Sequence, residues 1–198
     1  MTIDYEKFVL MNQELGENPS DEDSCLAILK TFYPNDKRPW VLCVEEFNKE
    51  IVKPFKGKLK LDLDFENKPA EYYITADTYL SRLDLVNLYN HLSNSNLKSI
   101  SLQLATEVKR LHLESVDYFK DKYEWIFNPP SLPSSNKFTL GKQLRQEFQE
   151  HYGAYAEITY LISNGNPLKF DEVNKMKLSD YLATGEYLIR KRAVEGVE

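Results

Sequence analysis

The residues best placed to do chemistry are Asp62 and Asp64, a DxD within KLKLDLDF. Two carboxylates two apart on an extended strand point the same way, and their oxygens could hold a divalent cation. Lys58 and Lys60 share that face, and mixed charge is what the solvent side of a half-buried strand ordinarily carries. A metal-dependent enzyme using Asp62 and Asp64 is therefore kept only as an alternative, and no metal or other cofactor is expected. The histidines, His91, His112 and His151, are far apart, and none has a second His or Cys at metal-ligand spacing. They read as surface or helix-face residues, because nothing pairs them with a nucleophile. Glu45 with Glu46 and Asp171 with Glu172 are adjacent on helices, where neighbours do not share a face. The seven glycines are scattered, with no phosphate-binding loop among them.

Charge narrows the partners. The chain of 198 residues has a net charge of −6, so as a whole it is repelled by nucleic-acid backbone and by anionic membrane. Its basic clusters are Lys109 with Arg110, and Arg190, Lys191 and Arg192; the second lies in a last helical turn, where cations are favourable anyway. Cys25 and Cys43 sit in apolar helical contexts and read as buried reduced thiols, which fits a cytosolic product. The N-terminus lacks a signal-peptide pattern, and no run approaches eighteen apolar residues. With 42% hydrophobic residues the chain can bury a core, and its 13 Tyr and 10 Phe suit both core edges and partner surfaces.

The element that would position the two aspartates is Lys58–Thr75. Leu59, Leu61, Leu63 and Phe65 alternate with Lys58, Lys60, Asp62, Asp64 and Glu66, the period of a half-buried strand. Asn67, Lys68 and Pro69 supply a turn and Glu71–Thr75 a returning strand, giving one β-hairpin that needs a helical cover. Nearly everything else has helical period: Asp4–Leu15, a helix over Cys25–Phe32, Trp40–Ile51, a helix capped by Thr75 or Asp77 and running to about Leu92, another from Leu97, and Val116–Phe127. NPPSLPSSN cannot continue a helix. The expected fold is thus mainly α with one hairpin (α+β): a helical domain over residues 1–127, a Pro/Ser-rich linker over 128–137, and a helical segment over 138–198. The last of these holds Thr139–Leu161, a helical turn at Phe170–Met176, and a helix from Leu178 or Ser179. Two helices of that size need something to dock on.

SDEDSCLAILKTFYPND, then KLKLDLDFENKPAEYYIT leading into TADTYLSRLDLVNLYNHL, then NGNPLKFDEVNKMKLSDYLATGEYLIRKRAVE, together resemble small tail-assembly and structural proteins of tailed bacteriophages, particularly those of Bacteroidetes hosts. The resemblance lies in the order and style of the segments, with no catalytic motif among them. It implies a non-enzymatic virion, tail or neck adaptor or assembly chaperone, acting through protein–protein contacts with other phage proteins. It further implies a homo- or hetero-oligomer, in the host cytoplasm during assembly and then either released or kept in the virion. The alternative is a bacterial cytosolic scaffold or regulatory binding protein. The surfaces expected to meet a partner are the strand edge at Lys58, Lys60, Asp62 and Asp64, where a further strand could add, and the C-terminal tyrosines Tyr152, Tyr155, Tyr181 and Tyr187.

Overall fold

The computed structural model describes residues 4–6, 8–10, 30, 54–127 and 153–195. The expected linker at 128–137, Cys25, Cys43, His151, Tyr152, the helix expected over Trp40–Ile51 and, apart from Lys30, the helix expected over Cys25–Phe32 lie outside them, as does the first part of the helix expected from Thr139. The described elements include 3-10 turns at Phe65–Asn67 and Pro167–Lys169 and the helices α1 (Ala70–Ser81), α2 (Leu85–Ser93), α3 (Leu102–Lys122), α4 (Glu124–Phe127), α5 (Ala154–Ile162), α6 (Phe170–Asn174) and α7 (Leu178–Glu195).

The β-hairpin is absent: among the described residues there is no strand, only two isolated bridges. Residues 54–64 form no regular element, and the would-be returning strand is the first half of α1. Alternation in the first arm did not make a strand because the second arm has no matching period. Ala70, Tyr73 and Ala76 are its buried residues, three apart, with Ala70, Glu71 and Ala76 as helix formers. That spacing overrides the strand preference of the Tyr-Tyr-Ile-Thr run. Pro69 reinforces the outcome, since a proline just ahead of a helix has its φ preset and no N–H to leave unsatisfied. The backbone around Pro69 pairs elsewhere: Ala70 N–H donates to the Met176 carbonyl and Leu178 N–H to the Lys68 carbonyl, each at 2.8 Å. Those two bonds tie the start of α1 to the start of α7.

The helix expected as far as Leu92 is broken in two. Leu83 has φ 55, in the left-handed region that ends a helix, and Asp84 restarts one by accepting from the Asn87 N–H at 3.2 Å. Asp77 therefore lies inside α1 and is not a cap. The helices expected from Leu97 and over Val116–Phe127 are one long α3, followed by the short α4.

The chain divides into two compact units, residues 1–61 with 82–111, and residues 62–81 with 112–198. In the first unit α2 buries Leu85, Val86, Leu88 and Leu92. It ends at Asn94, whose φ is 52, and the Asn90 side chain clasps the chain beyond it, donating to the Leu97 carbonyl at 2.8 Å and accepting from its N–H at 2.9 Å. The Tyr5 hydroxyl donates to the Leu83 carbonyl at 2.7 Å, and Tyr5 N–H to the Ile100 carbonyl at 3.0 Å. In the second unit α7 packs on α5, α4, α1 and the Phe65–Asn67 turn, and α6 on α5 and α1. α7 approaches α5 closely at Gly185, where an added Cβ would lie 2.6 Å from a methyl of Ile158. Overpacking of that kind typically costs about 1–3 kcal/mol, which explains a glycine in mid-helix. No described helix is long and apolar enough to cross a membrane.

Candidate functional site

The second unit holds a cleft of about 860 Å³ whose lining includes Asp77 and Ile74 of α1, Lys120 of α3, Phe127 of α4, Tyr155 of α5 and Phe170 of α6. That volume lies within the roughly 300–1,000 Å³ of small-ligand and side-chain pockets, and the wall is mainly apolar and aromatic, as such pockets are.

Behind the wall is an aromatic core. Phe65, 1% exposed, stands edge-on to Tyr73 and His112, with ring centroids 5.1 and 5.4 Å apart, and Tyr73 stands edge-on to Phe119 at 5.0 Å. Tyr73 also meets the ring of Tyr155 at 6.1 Å and 84°, an edge-to-face contact that links core to cleft. Phe127 extends the series, edge-on to Tyr155 at 6.3 Å.

Asp77 is the polar residue at this junction. Its side chain is 28% exposed; Oδ2 accepts from the Tyr155 hydroxyl at 3.1 Å, and Oδ1 is 3.9 Å from Nε2 of the fully buried His112. Burial raises the Asp77 pKa, opposed by the Tyr155 hydrogen bond and by the charge of Lys120. The same burial, with Tyr73 and Asp77 alongside, holds the Tyr155 hydroxyl well above the usual tyrosine range. One hydrogen bond and one longer contact leave a carboxylate with spare acceptor positions, since two oxygens offer about four lone-pair sites.

The other cleft walls are fixed from behind. Thr159 donates to the Asn174 side-chain oxygen at 3.0 Å, and Tyr181 donates to the Tyr155 carbonyl at 2.7 Å with its oxygen 3.0 Å from that of Thr159. Tyr160 also lines the cleft, and Gly165, at φ 72, is what lets its ring lie against the turn: an added Cβ would be 3.1 Å from the hydroxyl oxygen. These contacts hold α5, α6 and α7 in register around the opening.

The expected site residues are placed as follows. Lys58 and Lys60 are exposed on a stretch without regular structure, so they form no strand edge. Asp62 is paired with Lys68 at 2.5 Å, and Asp64 accepts from the Asn67 side-chain amide at 3.0 Å. Both carboxylates are thus engaged locally, and among the described residues no group of three or more His, Cys, Asp or Glu could hold a metal ion. Tyr155 is in the cleft, Tyr181 is fully buried and serves the core, and Tyr187 is 63% exposed. His112, expected on a surface or helix face, is in the core. Sequence reasoning passed over Asp77, Phe127 and Tyr160 as site residues. The available signal was Asp77 four residues after Tyr73 on the buried side of a helix, where a carboxylate calls for explanation.

Compared with protein-family models, curated proteins and solved structures, this chain matches nothing.

Proposed function

We propose that this protein works without catalysis, by binding another protein through the second unit, and that its setting is the assembly of a tailed phage, as a virion or tail-neck adaptor or an assembly chaperone. The cleft carries the binding part of this reading: an open, aromatic-walled cavity backed by a fixed core is suited to receive side chains of a partner. Exposed Tyr118, Tyr160, Leu168 and Tyr187 give the same unit further apolar contact area. The phage setting is supported by the resemblance of segment order alone.

The test is co-expression of the full chain with the tail, neck and tape-measure proteins of a candidate phage, followed by native mass measurement. A defined complex with one of these, weakened by Tyr160→Ala, is expected. A monomer that joins none of them, or a complex indifferent to the cleft, overturns the reading.

A further inference from the structure

The second unit carries the whole of the chain's net charge of −6, while the first is balanced. Within that acidic unit, Asp77 is a carboxylate with spare acceptor positions, set among rings that can face a cation. From this placement we infer that the cleft receives a basic side chain, lysine or arginine, of a partner protein, with the charged head on Asp77 and the aliphatic stem against the aromatic wall. The inference rests on the binding role proposed above and names its chemistry.

Three features support a cationic occupant over a neutral or anionic one. Tyr155 already donates to Asp77, so the carboxylate asks for further donors and not for acceptors. Phe127, Tyr155, Tyr160 and Phe170 all line the cavity, and aromatic rings tolerate a cation. Acidic residues outnumber basic ones in the unit as a whole, which draws basic partners and repels acidic ones. Lys120 works against this as the cation already lining the cleft; it is exposed, and no hydrogen bond joins it to Asp77. It is therefore a movable competitor, and removing its charge makes a sharp test.

The probes are N-acetyl-lysine N-methylamide and N-acetyl-arginine N-methylamide, with the neutral norleucine analogue as control, titrated into the full chain at low salt and followed by amide chemical shifts. Saturable binding of the charged probes is expected, with shifts at Ala156 and Asn174, and with the norleucine analogue at least about tenfold weaker. Asp77→Asn should weaken the charged probes by a similar factor, and Lys120→Gln should strengthen them a few-fold. Equal affinity for charged and neutral probes, or binding indifferent to Asp77→Asn, overturns the inference. So does binding of butylammonium without binding of the capped amino acids, which would assign the cleft to a free amine. If Asp77→Asn loses its helical circular dichroism, Lys120→Gln decides: weaker or unchanged binding overturns. A phage partner retained by a cleft that ignores all three probes overturns this inference alone. Probe binding with no phage partner overturns the proposed function alone.

Discussion

Two carboxylates of the second unit each accept a hydrogen bond from a tyrosine, and they behave in opposite ways. Glu66 accepts from Tyr118 at 2.8 Å and is also held by Lys122, which in turn lies 3.2 Å from the Tyr118 hydroxyl and over its ring. All three are open to solvent, and the Lys122 and Tyr118 hydrogen bonds hold the Glu66 carboxyl below the usual range. Asp77 has the tyrosine without the hydrogen-bonded cation, and burial pushes its carboxyl up. The first cluster is complete in itself. The second, with a similar beginning, is left wanting a donor, and it sits where a partner can bring one.

The contrast can be broken most forcefully from behind the cleft. Tyr73→Ala removes the ring joining Phe65, His112, Phe119 and Tyr155 and is expected to cost about 3–5 kcal/mol in urea unfolding, whereas Tyr118→Ala at the surface cluster stays within about 1 kcal/mol. A smaller change isolates the hydrogen bond. Tyr155→Phe leaves a half-buried carboxylate without its hydroxyl and is expected to cost about 1–3 kcal/mol; the matching Tyr118→Phe leaves Glu66 with Lys122 and water, and moves stability by no more than about 0.5 kcal/mol.

The pH dependence separates the two by sign. For Asp77 the folded pKa is raised, so its contribution is fully present below the ordinary aspartate value of 3.8 and is lost as pH rises through the folded value. For Glu66 the folded pKa is lowered, so its contribution is present above the ordinary value of 4.5 and is lost as pH falls through the folded value. Urea midpoints measured from acid to neutral pH should therefore show Asp77→Asn gaining on the parent protein as pH rises, while Glu66→Gln loses ground. Parallel profiles would remove the distinction. The smallest effect is expected for Lys122→Met, within about 1 kcal/mol and shrinking with added salt, as for any exposed pair.

The sequence was most legible where one periodicity ran unopposed. α7 follows from apolar residues spaced three and four apart, and the stop after α5 was visible in SNGNP. It was least legible at Lys58–Thr75, where a period of two in the first arm suggested a strand although the period of three in the second, through Ala70, Tyr73 and Ala76, belonged to a helix. Pairing decides a strand, and the backbone at Lys68 and Ala70 found its partners at Met176 and Leu178, far beyond the reach of local pattern. The cleft was illegible for the same reason. Tyr155 was singled out as an aromatic surface residue, yet its meaning comes from Asp77, which is 78 positions away. Asp77 itself read as a helix cap, because Thr-Ala-Asp ahead of an apolar run has the look of a helix start.

The most direct test is the titration of Asp77 itself, followed by carboxyl carbon chemical shifts in aspartate-labelled protein, with and without saturating N-acetyl-lysine N-methylamide. The free protein should titrate above 3.8, and the charged probe should bring the midpoint down, since an ammonium against the carboxylate favours its ionised form. A midpoint at or below 3.8 in the free protein, or one unmoved by the probe, would contradict the claim that Asp77 is a half-buried carboxylate waiting for a cation.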